Sequence, residues 1–328
     1  MAAKGQATLS SQIPNLDAAF NPMTPSADSK LTILVTGAGG FVGRHLCTSL
    51  AEGGHTVRRI VRSGAIADSD WLVEDLATKD IPDAAFEGVN MLVHLAASMP
   101  GDKDDPNGTK SAAMAQRVAT SAKKQGVPRV VLLSSVAVRL LLEKKTRPRP
   151  YSVQKRDAED AFLKSLGPLN KCVILRPPLI YGPGARGSFG LLLSLVRRGA
   201  PMPVGKADAP RCYLSVSNLC ELIETLAQAP DAQWQAADRK TFEPHDGTPI
   251  STLDLVRQIA NVTGRKARIL NVTNNLLHPF GRLIGKADQI DAMFEPLVCD
   301  DIEKLHQAFG WMPHEHVPNS LSFLDDAE

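Results

Sequence analysis

The stretch TILVTGAGGFVGRHL, residues 32–46, decides the fold. A short β-branched run gives way to four glycines within residues 37–43, and an apolar pattern of helical period follows. Glycine costs conformational entropy, but it lets the main chain turn sharply and approach a ligand closely. The spacing Gly37-x-x-Gly40-x-x-Gly43, set between a strand and a helix, is the setting in which such a turn binds a dinucleotide. Gly37 makes the turn, Gly40 lets the backbone near a pyrophosphate, and Gly43 lets the helix lie against the strand. Phe41 and Val42 then open a helix whose N-terminus offers free N–H groups and partial positive charge to phosphates.

Outward from this stretch the pattern alternates. The strand-like runs HTVRRIVRS, MLVHLAA, RVVLLSS and KCVILRP are separated by the helical runs SAAMAQRVATSAKKQG and QKRDAEDAFLKSLG, with glycines as stops. RVVLL is apolar on both faces, as a strand covered by helices on both sides must be. The expected fold is α/β: a doubly wound parallel (Rossmann) sheet over residues 31–178. After Pro177 the texture changes to proline and glycine, then to shorter helices and strands. Residues 179–211 and 241–328 are expected to form a smaller C-terminal α/β substrate lobe, with a segment near 212–240 returning to the sheet. Residues 1–30 are small, polar and broken by proline, and lack the apolar core of a signal peptide; a disordered extension is expected.

The charges nearly balance, 37 basic against 35 acidic, which argues against a nucleic-acid surface or a polybasic membrane patch. The basic stretch RLLLEKKTRPRP, residues 139–150, reads as a solvated loop. No apolar run approaches a membrane span, so no membrane partner is expected. The five cysteines form no CxxC pair and no zinc spacing, so they read as reduced thiols of a cytoplasmic protein without a metal site.

The strand TVRRIVRSG bears on the cofactor. A carboxylate at its end would hold the adenine ribose of NAD; an arginine would favour the 2′-phosphate of NADP. Val61 stands where the acid is expected, and Arg62 follows. NADP is therefore favoured over NAD.

The TGxxGxxG form of the glycine motif resembles the extended short-chain dehydrogenase/reductase family, the sugar-nucleotide epimerases and dehydratases. Further segments carry the resemblance in the family's order: VEDL, HLAA, SSVAV, YSVQK, RPPLIYGPG and RCYLSVSNL. It implies that Asp75 and Leu76 hold adenine, that Leu95, Ala96, Ala97 and Pro177 line the cofactor, and that Ser135, Tyr151 and Lys155 are catalytic. Ser135 and Tyr151 would also touch substrate, together with Ser188 and the diphosphate-gripping Arg211. Oxidising a sugar alcohol needs a base, and a phenol titrates near about 10, too high for neutral pH. Lys155, one helical turn beyond Tyr151, favours the phenolate and by resemblance holds the nicotinamide ribose.

Two features depart from the family pattern. Ser111 stands where the family has an asparagine, and DAMFEPLVCDD offers no second arginine for a diphosphate. The resemblance implies a UDP-hexose or UDP-hexosamine C4 epimerase working by reversible hydride transfer on a nucleotide sugar, in a homodimer. The alternatives are an NADPH-dependent reductase of a 4-keto sugar or another carbonyl, and a non-catalytic dinucleotide-sensing or scaffold protein.

Overall fold

The computed structural model describes residues 30–63, 70–98, 105, 108–283, 285, 287–317 and 319–324. The expected extension therefore lies outside the described residues, Lys30 excepted. The elements of the first half are β1 (Thr32–Thr36), α1 (Phe41–Glu52), β2 (Thr56–Val61), β3 (Asp70–Leu72), β4 (Met91–His94), α2 (Lys110–Lys124), β5 (Arg129–Leu133), α3 (Val136–Leu142), α4 (Pro150–Ser165) and β6 (Lys171–Leu175). The second half carries β7 (Leu179–Tyr181), α5 (Gly187–Arg197), β8 (Pro201–Met202), β9 (Pro210–Arg211), β10 (Tyr213–Ser215), α6 (Val216–Gln228), α7 (Asp231–Ala236), β11 (Thr241–Phe242), β12 (Ile250–Ser251), α8 (Thr252–Val262), β13 (Arg268–Ile269), α9 (Asn274–Leu283), α10 (Ala287–Phe294) and α11 (Glu303–Phe309).

Seven strands form one parallel sheet in the order β11-β6-β5-β4-β1-β2-β3. Successive side chains of a strand point to opposite faces, and both faces of this sheet are buried. Ile33, Val35, Val93, Val131 and Val173 pack with residues of α1 and α6 on one side. Leu34, Leu92, Val130, Leu132 and Ile174 pack with residues of α2 and α4 on the other. The doubly wound Rossmann sheet expected from the alternating runs is the fold observed.

Tyr181, Phe189, Leu192, Val196, Leu255, Val256 and Ile259 make a separate core between α5 and α8. Short pairs, β9 with β12 and β8 with β13, border it. The sheet itself reaches past residue 240: Thr241 and Phe242 are its edge strand, and Leu305, Phe309 and Trp311 join its core.

The basic stretch 139–150 differs from the solvated loop its charge suggested. Its first residues finish α3, and its arginines are paired. Arg139 reaches Glu243 at 2.6 Å and Arg149 reaches Glu295 at 2.8 Å, while Arg147 meets Asp291 at 2.7 Å. The acids come from residues 243–295, too far along the chain to be seen as partners in the sequence.

Candidate active site

The glycine turn has the geometry its spacing demands. Gly37 sits at φ 72°, and a Cβ there would lie 2.7 Å from the main-chain nitrogen of Ala96. Gly40 donates its N–H to the carbonyl of Gly37 at 2.9 Å. A Cβ on Gly43 would run into the same carbonyl and the Cα of Ala38, so α1 lies directly on the turn. Gly40 is the N-cap of α1 and supplies no side-chain acceptor. The first N–H groups, those of Phe41 and Val42 among them, are thus available to an anion. This cradle fits a dinucleotide pyrophosphate.

At the end of β2, Arg58 donates to the carbonyl of Ala85 at 2.9 Å and Arg59 pairs with Asp70 at 2.5 Å. Arg62 follows Val61 and is exposed. Asp75 accepts the N–H of Ala77 at 2.9 Å and lies 3.5 Å from the ammonium of Lys110, with Leu76 buried beside it.

The carboxyl end of β4 is stiffened by His94. Its Nδ1 is 2.7 Å from the Thr36 hydroxyl, and its ring stacks on Phe162 at 5.3 Å. Burial, and then the charge of Lys155, pushes the imidazole down to about 3, so it is neutral. Leu95 and Ala96 follow, half-buried, and Ala97 is exposed.

Ser135 and Lys155 converge at the carboxyl end of β5. Ser135 is the N-cap of α3 and its hydroxyl accepts the N–H of Ala137 at 3.3 Å. Lys155 donates to the carbonyl of Leu133 at 3.3 Å. Tyr151 lies in the first turn of α4 behind Pro150 and keeps 37% of its surface exposed. A small void is lined by His94, Ala97, Ser111, Ser134 and Lys155. The buried Ser134 hydroxyl has no protein partner among the described residues. Buried Pro177 accepts the N–H of Val136 at 3.1 Å and so ties the ends of β5 and β6 together. Two carboxyl strand ends, a helix start and the glycine cradle thus meet where such sheets bind ligands.

Ser111 does not stand alone in the place of the family's asparagine. Its hydroxyl accepts the N–H of Ser98 at 2.9 Å and the side-chain amide of Gln154 at 3.1 Å. Asp105 receives the N–H groups of Thr109 and Lys110 at 2.8 and 3.1 Å. Four residues past Lys155, Glu159 grips Arg176 through bonds of 2.9 and 2.6 Å. These partners are scattered over the chain, and no spacing marked them.

Arg211 and Ser188 lie on the lobe side. Arg211 donates to the carbonyls of Ala292 and Glu295, and burial works against its charge. This ties the segment 292–295 to β9, whatever else the guanidinium does. Ser188 is exposed in the first turn of α5. Beneath them is a hub the sequence did not reveal. Asp246 accepts from Tyr181 at 2.7 Å, from Asn218 at 2.7 Å and from the N–H of Ser215 at 2.9 Å. Burial raises its carboxyl to about 6. The tyrosine of YGPG is therefore a buried strut.

Comparison with known proteins agrees with this geometry. The model of the NAD dependent epimerase/dehydratase family matches residues 33–238. A UDP-glucose 4-epimerase of Vibrio cholerae is 30% identical over 307 residues, covering 86% of this chain and 90% of the relative. A ceramide reductase of Caulobacter vibrioides is 25% identical, covering 79% of each. The structure of a UDP-glucuronic acid 4-epimerase from Bacillus cereus superposes with a TM-score of 0.70 at 19% identity, over 90% of this chain and 96% of the other. The chain belongs to the NAD-dependent epimerase/dehydratase family of enzymes.

Proposed function

We propose that this enzyme is an NADPH-dependent reductase acting on the C4 ketone of a nucleotide-linked sugar. The observation that carries the reading is the end of β2. Val61 stands in place of an acid, Arg58 and Arg59 are engaged elsewhere, and exposed Arg62 is left to pair with a 2′-phosphate. NADPH suits net reduction with release of the oxidised cofactor, whereas an epimerase regenerates a bound cofactor at each turnover. The reductases among the relatives, of ceramide and of 2-alkyl-3-oxoalkanoate, support the direction. The UDP-glucose 4-epimerase relative supports the sugar nucleotide. The free thiols suit a reducing, cytoplasmic setting.

The nicotinamide cofactor, held by the Gly37–Gly43 cradle, Asp75, Leu95–Ala97, Pro177 and Lys155, supplies the hydride when bound. The Ser135 hydroxyl orients the carbonyl oxygen of the substrate by a hydrogen bond. The Tyr151 hydroxyl gives that oxygen its proton, and the first turn of α4 together with Lys155 favours the phenolate left behind. Arg211 and Ser188 border the substrate side.

A second reading is C4 epimerisation of a UDP-hexose, favoured by the same Vibrio cholerae relative. One experiment separates the two. Purified protein is assayed for bound dinucleotide, then given NADPH with a UDP-4-keto-hexose, and separately UDP-glucose alone. The reductase arrives free of tightly held NAD and consumes NADPH in step with the ketone. Bound NAD with interconversion of UDP-glucose and UDP-galactose, and no net cofactor change, would establish the epimerase instead.

A further inference from the structure

The helix α9 turns one face inward and one outward. Inward, Asn274 and His278 bond Asp291 at 3.0 and 2.8 Å, and Gly281 lies against Ala287 and Ile290 of α10. That face is fully used. Outward stand Leu276, Pro279, Phe280 and Leu283, spaced i, i+3, i+4, i+7 on one stripe. Leu276 is 64% exposed, Phe280 69% and Leu283 85%, and nothing among the described residues covers them. Leu270, just before the helix, is 47% exposed. An isolated exposed leucine is ordinary, but a helical stripe of large apolar side chains is not.

The charge along the chain leading into the stripe is one-sided, and the carboxylates that follow on α10, Asp288 and Asp291, are paired with Arg147. Between Thr263 and Ala287 the sequence has Arg265, Lys266, Arg268, Arg282 and Lys286, and no aspartate or glutamate. Arg265, Lys266, Arg268 and Arg282 are all exposed. An apolar helical stripe bordered by cations is the pattern of a helix lying in the headgroup layer of an anionic bilayer. A self-association face has no need of such an excess of one sign.

We infer that α9, with the basic segment 265–268, docks this enzyme on the surface of a membrane containing anionic lipid. Leu276, Phe280 and Leu283 enter the interface, and the arginines and lysine meet lipid phosphates. The expectation of no membrane partner rested on the near balance of charge over the whole chain, which averages out a local basic excess, and on the length of apolar runs, which bears on crossing a bilayer rather than lying on one; no described helix could cross it. The docking helix is not remote from the chemistry. Its neighbour α10 is paired through Asp291 with Arg147, and Glu295 with Arg149, just ahead of Tyr151. The docked enzyme holds its active site beside the lipid surface.

The test uses the full chain and sedimentation with phosphatidylcholine vesicles, plain or mixed with phosphatidylglycerol. Binding at least about tenfold tighter to the anionic vesicles is expected, and raised salt should weaken it. The double variant Phe280→Glu, Leu283→Glu should lose binding to both. The variant Arg265→Glu, Lys266→Glu should lose the preference for anionic lipid. Both should keep the wild-type melting temperature and NADPH affinity. Equal weak binding to both vesicles, or none, overturns the inference. So does a dimer, seen by light scattering, that the Phe280→Glu, Leu283→Glu change dissociates: a second copy would then own the stripe. None of these outcomes depends on which sugar or ketone is the substrate.

Discussion

The side-chain amide of Gln154 donates to the Ser111 hydroxyl at 3.1 Å, and the same hydroxyl takes the N–H of Ser98 at 2.9 Å. Gln154 immediately precedes Lys155, so this one oxygen joins α4 to the segment that follows β4. Ser111→Ala should strand two buried donors and cost roughly 1–3 kcal/mol in urea denaturation. Ser111→Asn brings back an acceptor and should recover part of it. A neutral Ser111→Ala would show the junction to be incidental.

In the proposed reduction, Tyr151→Phe removes the proton that the substrate oxygen takes up. A drop in kcat of at least about a hundredfold is expected, with NADPH affinity nearly unchanged. Retention of most turnover would take Tyr151 out of the reaction.

Arg62→Ala should weaken NADPH binding by roughly 1.5–3 kcal/mol and leave NADH almost untouched, as for a charged hydrogen bond. Isothermal calorimetry with both cofactors decides it. Equal losses for the two would mean that Arg62 makes no contact with a 2′-phosphate.

Arg211 ties β9 to the carbonyls of Ala292 and Glu295. Its loss should destabilise the fold by roughly 2–4 kcal/mol and lower the melting temperature by several degrees. Whether it also grips a diphosphate is read from UDP titration of the wild type. Heat of binding that Arg211→Ala abolishes shows the grip; silence from the wild type leaves the arginine a tie alone.

His94 makes the fold acid-labile. Its ordinary value is about 6.5, and burial holds it near 3 in the folded chain. Between those values the unfolded chain binds the extra proton, so stability is full above about pH 6.5 and falls as the pH drops towards 3. His94 alone should take about 2 kcal/mol off between pH 7 and 5, while Asp246, whose raised carboxyl is protonated in the folded chain over that range, offsets part of it; the difference between wild type and His94→Gln in urea melts isolates the histidine. His94→Gln should flatten that part of the profile.

The parts of the enzyme legible in the sequence were those governed by local spacing. Gly37, Gly40 and Gly43 fixed a strand, a turn and a helix because a Cβ at Gly37 or Gly43 meets neighbouring backbone. Tyr151 and Lys155 lie four apart and share a helix face by geometry alone. What stayed hidden depends on pairs far apart along the chain. Arg139 meets Glu243, and Gln154 meets Ser111, forty-three residues away. The exposed stripe of α9 carries helical periodicity like any amphipathic helix, and only burial shows that its apolar face points outward.

The chain has three tyrosines, each within a motif, but they do not share one environment. Tyr181 is sealed against Asp246, and Tyr213 is buried in the core between α5 and α8, while Tyr151, in the first turn of α4, keeps 37% of its surface open. To any phenol-selective reagent in solvent the folded enzyme is therefore a one-tyrosine protein. A single nitration would mark Tyr151 alone among the tyrosines, and a ligand seated over that ring would announce itself by shielding it.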